Sequence, residues 1–447
     1  MTSAIGRYHD LLTPEMAAAS HAMLEDQLRR RGLFFGDRAL CTVLRPRLFT
    51  AAGYRTLQAR VAVLLKAFDA AYRAAMADAS VREQFRLEAW EEEMVQVDPG
   101  FAPGSPHSRL DAFIDDQGGM ALTEYNAETP AGAAYSDALT EVFLDLPVMQ
   151  AFARSYEIRP MPARHGVYHV LMDAWRQCSG GTQAPSIAII DWAGLPTASE
   201  FVLFERYFRD LGLDVQILTP DAVEYTNGRL WGGGRAIDVI YKRILLHELV
   251  GEGGLTHPIV RAVRDRAVCM VNPFRCKMLH KKASLAVLTD ERNAGLFSPD
   301  EQAAIRAHVP WTRVVEARMT RHDGRRVDLL PFIAGARERM VLKPNDDYGG
   351  AGIVLGWLAS DEEWQAAIRR ALDSPYIVQE RVAIASEPYP SMVDGQIRLI
   401  DRMLDTAPFC CYGTHDMGCL TRLSTAALLN VTAGGGSTVP VFVVEPR

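Results

Sequence analysis

Two acids, an amide and a guanidinium stand at alternating positions in two short stretches, Arg109-Leu110-Asp111 and Glu124-Tyr125-Asn126. Between them lies a turn-forming run, Asp115-Asp116-Gln117-Gly118-Gly119, so the pattern predicts a β-hairpin with a longer loop. Alternate residues of a strand share a face, which puts Arg109 with Asp111 and Glu124 with Asn126. If the hairpin joins those faces, three oxygen donors and a guanidinium converge. Hard oxygen donors with few carboxylates suit Mg²⁺, which keeps phosphate oxygens and waters in its shell. Arg109 would then stabilise charge on a transferring phosphoryl group. A hairpin with solvated acids would carry the same residues, and the pattern alone does not choose between the two.

A second group lies far downstream. An apolar stretch ends in Lys343-Pro344 and runs straight into Asn345-Asp346-Asp347-Tyr348-Gly349-Gly350-Ala351-Gly352. Glycines at 349, 350 and 352 let backbone N–H groups approach phosphate oxygens, and Lys343 adds a point charge. The order is not that of a P-loop. The alternative is a plain hairpin turn that needs glycine only for positive φ. Next, Tyr376-Ile377-Val378-Gln379-Glu380 reads as an apolar strand whose Gln379–Glu380 end could offer backbone groups to an adenine edge. Lys277 and Lys282, in Asn-Pro-Phe-Arg-Cys-Lys-Met-Leu-His-Lys-Lys, could reach phosphates or simply face solvent. Arg422 precedes another glycine-rich run at 430–437. Cys410, Cys411, His415 and Cys419 have no recognisable zinc spacing, and buried thiols are the better reading.

These groups need strands and helices to position them. The first hundred residues read as mainly helical: Thr13-Pro14-Glu15 opens a helix that Gly32 can stop, and 53–78 is strongly amphipathic. A short strand is expected at 39–44, helix again at 133–157, and a linker near 178–185. From 187 to 271 strands alternate with helices, which predicts a small parallel sheet of Rossmann-like form without a dinucleotide fingerprint. Arg243 follows one of its strands. Helices are expected at 299–307 and 361–372, and strands at 340–343, 352–356, 376–379, 396–403, 419–424, 427–431 and 439–444.

Composition narrows the setting. With 447 residues, 48% hydrophobic, the chain can bury large cores without staples. A net charge of -7 argues against nucleic acid or an anionic membrane as partner. Seven cysteines without a paired motif, no leader-like start and no long apolar run point to a reduced, cytoplasmic protein.

The order and wording of these segments resemble the ATP-grasp superfamily, in its circularly permuted branch. RLDAFIDDQGGMALTEYNAETPAG resembles the metal-binding strand pair of D-alanine–D-alanine ligases, and more closely the EYNA-type segment of glutathionylspermidine synthases. VLKPNDDYGGAGI is similar to the ATP-grasp lysine strand and phosphate loop, and YIVQERV to its hinge strand. NPFRCKMLHKKASLAVL resembles a segment with a phosphate-binding lysine, and GCLTRLS with LLNVTAGGGS resembles the closing strand pair of glutathione-type ligases. The resemblance implies an α/β, circularly permuted ATP-grasp fold. Residues 1–100 would form a helical region, 101–160 the permuted metal-binding part, 185–275 a Rossmann-like pre-ATP-grasp domain, and 276–447 the remaining lobes. It implies ATP and Mg²⁺ as cofactors. Asp111, Glu124 and Asn126 would be metal ligands. Lys343, Lys282 (with Lys277 second), Gly349, Gly350, Gly352, Gln379 and Glu380 would hold nucleotide. Arg109, with Arg422 or Arg243, would stabilise transferring charge. The implied activity is an ADP-forming carboxylate–amine ligation of small amino acid, peptide or polyamine substrates. Phosphotransfer to another acceptor, or ATP binding without turnover, are the alternatives.

Overall fold

The computed structural model describes residues 2–115, 119–347, 350–414, 417–425 and 436–447. It is a mixed α/β fold, as the segment pattern predicts. The helix Pro14–Arg31 begins where Thr13 accepts a hydrogen bond from the Met16 amide, and ends where Gly32 takes the left-handed conformation at φ 65. The long helix Ala51–Ala77 is capped by Thr50, and its buried stripe, including Leu57, Val61, Leu64 and Phe68, faces a sheet.

That sheet has six strands and carries the candidate metal hairpin. The hairpin strands are His107–Ile114 and Met120–Asn126. The long strand Gln396–Cys411 runs beside the first of them, flanked in turn by Cys419–Ser424, the arginine strand, and by Ser386–Val393. A second, four-stranded antiparallel sheet is ordered Thr312–Val314, Tyr376–Glu380, Met340–Pro344, Val354–Leu355. The helix Asp361–Asp373 packs Trp364, Ala367, Ile368 and Ala371 against it. Separately, Ser186–Ile190, Asp214–Leu218, Val239–Lys242 and Cys269–Val271 form a wholly parallel four-stranded sheet.

Three local expectations change. Residues 39–44 do not form a strand beyond Arg38–Ala39. The amides there bond elsewhere, Leu44 to the Pro390 carbonyl and Thr42 to the Ser437 hydroxyl, so no ladder forms. The helical stretch from 133 breaks at Leu146 before Pro147 and stops at Phe152. Tyr156–Pro160 then pairs as a strand with Val441–Pro446. The expected linker starts later, because the helix Arg164–Ser179 takes in Cys178 and ends at Gly180, which is left-handed at φ 67. The strand expected at 427–431 lies outside the described residues. Among the described residues, no helix is long and apolar enough to cross a membrane.

Candidate functional site

The hairpin register sets Arg109 opposite Asn126 and Asp111 opposite Glu124. Cross-strand partners share a face, so the four side chains expected to converge do so. Arg109 is bidentate on Asp111, with Nε to Oδ1 at 2.7 Å and Nη2 to Oδ2 at 2.9 Å. Asn126 donates its amide nitrogen to Asp111 Oδ2 at 2.9 Å, so its carbonyl oxygen is the atom a cation would use. Burial works against ionising Asp111, but Arg109 and Arg422 outweigh it and hold the carboxyl well below the usual range.

The register slips between Asp111 and Ala112, so that Ala112 pairs with Leu122 and Thr123 is the extra residue. This bulge does two things. It keeps Glu124 and Asn126 on the cleft face while Met120 and Leu122 turn to the opposite one. It also frees the Thr123 carbonyl, which accepts from Lys343 Nζ at 3.0 Å. The lysine strand is thereby joined to the metal hairpin, bridging the two sheets.

Lys343 also donates to Gln379 Oε1 at 2.7 Å, and Gln379 is held by Thr312 Oγ1 at 3.1 Å. Burial pushes the Lys343 ammonium down to about 8, with Glu124 opposing and Lys282 reinforcing the shift. Lys282 lies 3.0 Å from Glu124 and donates to the Asp347 carbonyl at 2.6 Å. Burial opposes ionisation of Glu124, yet Lys282 brings its carboxyl below the ordinary value. Arg422 reaches Asp111 Oδ2 at 2.8 Å and grips Asp405, its partner across the register, with Nε to Oδ2 at 2.8 Å.

Asp111, Thr123, Glu124, Lys343, Gln379, Asp405 and Arg422 line one cleft of about 920 Å³, counting its open part. Its other walls include Glu380 and the apolar Phe113, Ile353, Trp357 and Ile384. A concave site of this size with apolar walls and convergent polar groups suits a small ligand. Gly350 lines one side, and Gly352 stands two residues beyond it. Its φ is 67, and a Cβ there would meet Pro344 Cγ at 2.6 Å, so a side chain is excluded twice over. Gly350 has φ 81. Gly349 lies outside the described residues.

Three predicted roles need correction. Lys277 does not reach the cleft: it is fully buried, 3.1 Å from Glu128 and 2.7 Å from Asp346 Oδ2. Arg243 donates to the Pro130 carbonyl at 2.8 Å and lies 3.5 Å from Glu200, away from the cleft lining. It shares with Arg109, which donates to the Ala131 carbonyl at 2.6 Å, the task of holding the loop after the hairpin. The backbone of Gln379 stands between Thr312 and Val341, and the Glu380 amide donates to the Trp311 carbonyl at 2.9 Å. The sheet therefore uses the Gln379 backbone and the Glu380 amide, and both residues line the cleft.

The sequence pattern missed an ionic cluster behind the phosphate-loop segment. Lys277, Lys281 and Lys242 meet Glu91, Glu128 and Asp346 in the interior. Glu128, His280 and Asp346 bring ligand-type atoms within 4.8 Å of one another, but Lys277 Nζ already stands between Glu128 and Asp346 as their cation. The cluster anchors the loop. Asn345 adds to this: its Oδ1 accepts from the Ala283 amide at 2.8 Å, and its Nδ2 donates to the Phe85 carbonyl at 3.0 Å. The signal was present in Asn345-Asp346 directly after the lysine strand, but its partners are remote in sequence. The thiols read as buried are so at Cys410 and Cys419, while Cys411 is half-buried; His415 lies outside the described residues.

With this geometry in place, comparison with known proteins gives the class of fold. No family model matches the chain. Uncharacterized proteins of Mycobacterium leprae (strain TN) and Mycobacterium bovis are 24% identical over 360 residues, covering 76% of this chain and 59% and 60% of their own lengths. The chain thus spans about 60% of the curated relatives it matches. A glutathione synthetase-like effector from Globodera pallida, solved in apo form, superposes with a TM-score of 0.63. The match covers 96% of this chain and 98% of that one at 14% identity. The protein therefore has a glutathione synthetase-like α/β fold.

A pH effect follows from Lys343. A polyphosphate bound beside Lys343 would favour the protonated amine, so its affinity would be full below about 8 and would fall as pH rises through it. Nucleotide titrations at pH 7 and pH 9 should differ by about tenfold, with weaker binding at pH 9. Lys343→Arg should remove the difference; an equal slope in both proteins would contradict the role given to Lys343.

Proposed function

We propose that this protein is an ATP-dependent, ADP-forming ligase that joins a carboxylate to an amine, built on a circularly permuted ATP-grasp fold. One observation carries the reading: two separate sheets deliver Asp111, Glu124 and Arg422 on one side, and Lys343 on the other, to a single cleft. The glutathione synthetase-like fold supports it. On this reading residues 101–160 and 276–447 make up the ATP-grasp part, and 185–275 the preceding domain.

The residues fit the cofactors by type. Asp111, Glu124 and Asn126 are the oxygen donors for Mg²⁺, which would neutralise phosphate charge when bound. In the structure the cationic groups now hold those carboxylates: Arg109 and Arg422 on Asp111, Lys282 on Glu124. When a nucleotide is bound, these same cations would be drawn to its phosphate charge. Lys343 and Lys282 would neutralise the triphosphate, and Gly350 and Gly352 would admit it close to the backbone. A substrate carboxylate oxygen would attack the γ-phosphorus in line, breaking the bond to the ADP oxygen and giving an acyl phosphate. Arg109 and Arg422 would stabilise the developing charge. An amine would then attack the acyl carbon and phosphate would leave.

The experiment is a screen of amino acids, short peptides and polyamines, read as ADP against AMP. ADP and phosphate release that needs both a carboxylate and an amine is expected. AMP release, or a stable phosphorylated product, would contradict the ligase reading.

A further inference from the structure

A second cavity lies on the opposite face of the metal hairpin. Asp111 and Phe113 line the cleft, while Ile114 and Met120 line this cavity, which the long helix Ala51–Ala77 closes from the other side. Its volume is about 1530 Å³, counting its open mouth.

The charge in it is unbalanced. Arg45, Arg47 and Arg60 line it, against the carboxylates of Glu387 and Asp115. Arg45 is 0% exposed and Arg47 5%, and both lean on the same Glu387 carboxylate. Each also keeps an Nε with no hydrogen-bond partner. Burial opposes ionisation of Glu387, but Arg47 and Arg45 outweigh it and lower its pKa. Arg402 stands directly opposite Glu387 in the strand register and adds a further positive charge to that face. Arg45 also lies over the Tyr389 ring at 3.9 Å and Arg47 over the Phe49 ring at 5.1 Å, yet among the described residues these two buried guanidinium groups share one carboxylate, a surplus of positive charge that a bound anion would offset.

The helix contributes in the same direction. Thr50 and Gly53, at the N-terminus of Ala51–Ala77, line the cavity, where the helix dipole is positive. Phe49, Leu57, Ile114 and Met120 add apolar walls. A guanidinium pair beside apolar walls recognises a carboxylate head on an apolar body.

We infer that this cavity is a binding site for a small amphipathic carboxylate, distinct from the nucleotide cleft and on the other face of the same hairpin. The cationic end at Arg45, Arg47 and the helix N-terminus takes the carboxylate. Phe49, Leu57 and Met120 take the apolar body. Arg60, half-buried, completes the charge near the mouth. The assignment does not depend on the proposed ligase activity.

The test uses the full chain, hexanoate as probe, and calorimetric titration. Hexanoate should bind saturably with one site per chain. Hexanamide, which lacks the charge, and inorganic phosphate, which lacks the apolar body, should each bind at least about tenfold more weakly. Arg60→Gln should weaken hexanoate by about tenfold, and Thr56→Trp, which fills the mouth from an exposed position, should abolish binding while the melting temperature holds. No saturable binding by the native chain would overturn the assignment. So would equal affinity in both variants. Phosphate binding as tight as hexanoate would overturn the apolar half of the assignment.

Discussion

Glu124→Ala is expected to lower substrate-dependent ADP release by on the order of a thousandfold while leaving the fold in place. Glu124 is the carboxylate of the metal set least committed to the protein's own structure. Its recorded ion pair is with Lys282 at 3.0 Å, whereas Asp111 is held by Arg109, Arg422 and Asn126 together. Removing Asp111 would therefore confuse a catalytic loss with an Arg109 left without its carboxylate, while Arg422 would keep only Asp405. After Glu124→Ala, Lys282 still donates to the Asp347 carbonyl, so the lysine is not stranded. The measurement is ADP formation with the carboxylate and amine found by the screen, alongside a thermal melt. Unchanged ADP release in a folded variant would remove Glu124 from the metal site.

Glu128→Ala has the largest expected effect on stability. Glu128 is 1% exposed, lies 3.1 Å from Lys277 and 3.8 Å from Lys242, and its Oε1 also accepts from the Leu246 amide. Taking away the acid leaves Lys242 buried without its carboxylate and Lys277 with less compensation. Breaking a buried pair in this way costs about 3–5 kcal/mol. Burial opposes the charged form of Glu128, but Lys277 and Lys242 outweigh it and bring the carboxyl from 4.5 to about 2. The group thus contributes its stabilisation fully above pH 4.5 and loses it as pH falls toward about 2. Urea unfolding at neutral pH is the check. A loss below about 1 kcal/mol would mean the cluster does not anchor the loop.

How much of this could be read beforehand depended on whether a feature is local. The hairpin was legible because alternation and a Gly-rich turn are local signals, and they put Arg109, Asp111, Glu124 and Asn126 on one face. Lys343 and its glycines were legible for the same reason. The bulge at Thr123 was not, since it appears only once Ala112 is seen to pair with Leu122. Asp405 was missed because it meets Arg422 through strand register, a long-range choice. Lys277 looked interchangeable with Lys282 by type and spacing. What separates them is that Lys277 points at Glu128 and Asp346 while Lys282 points at Glu124, and neither contact is local. The strand expected at 39–44 failed where backbone amides found partners in remote segments instead of a neighbouring ladder.

A titration with a non-hydrolysable ATP analogue tests the proposed nucleotide cleft most directly. Binding measured calorimetrically should give one site per chain, strengthen at least tenfold when Mg²⁺ is added, and lose that Mg²⁺ dependence in Glu124→Ala. Absence of saturable binding, or a response to Mg²⁺ that is the same in the native and Glu124→Ala proteins, would contradict it.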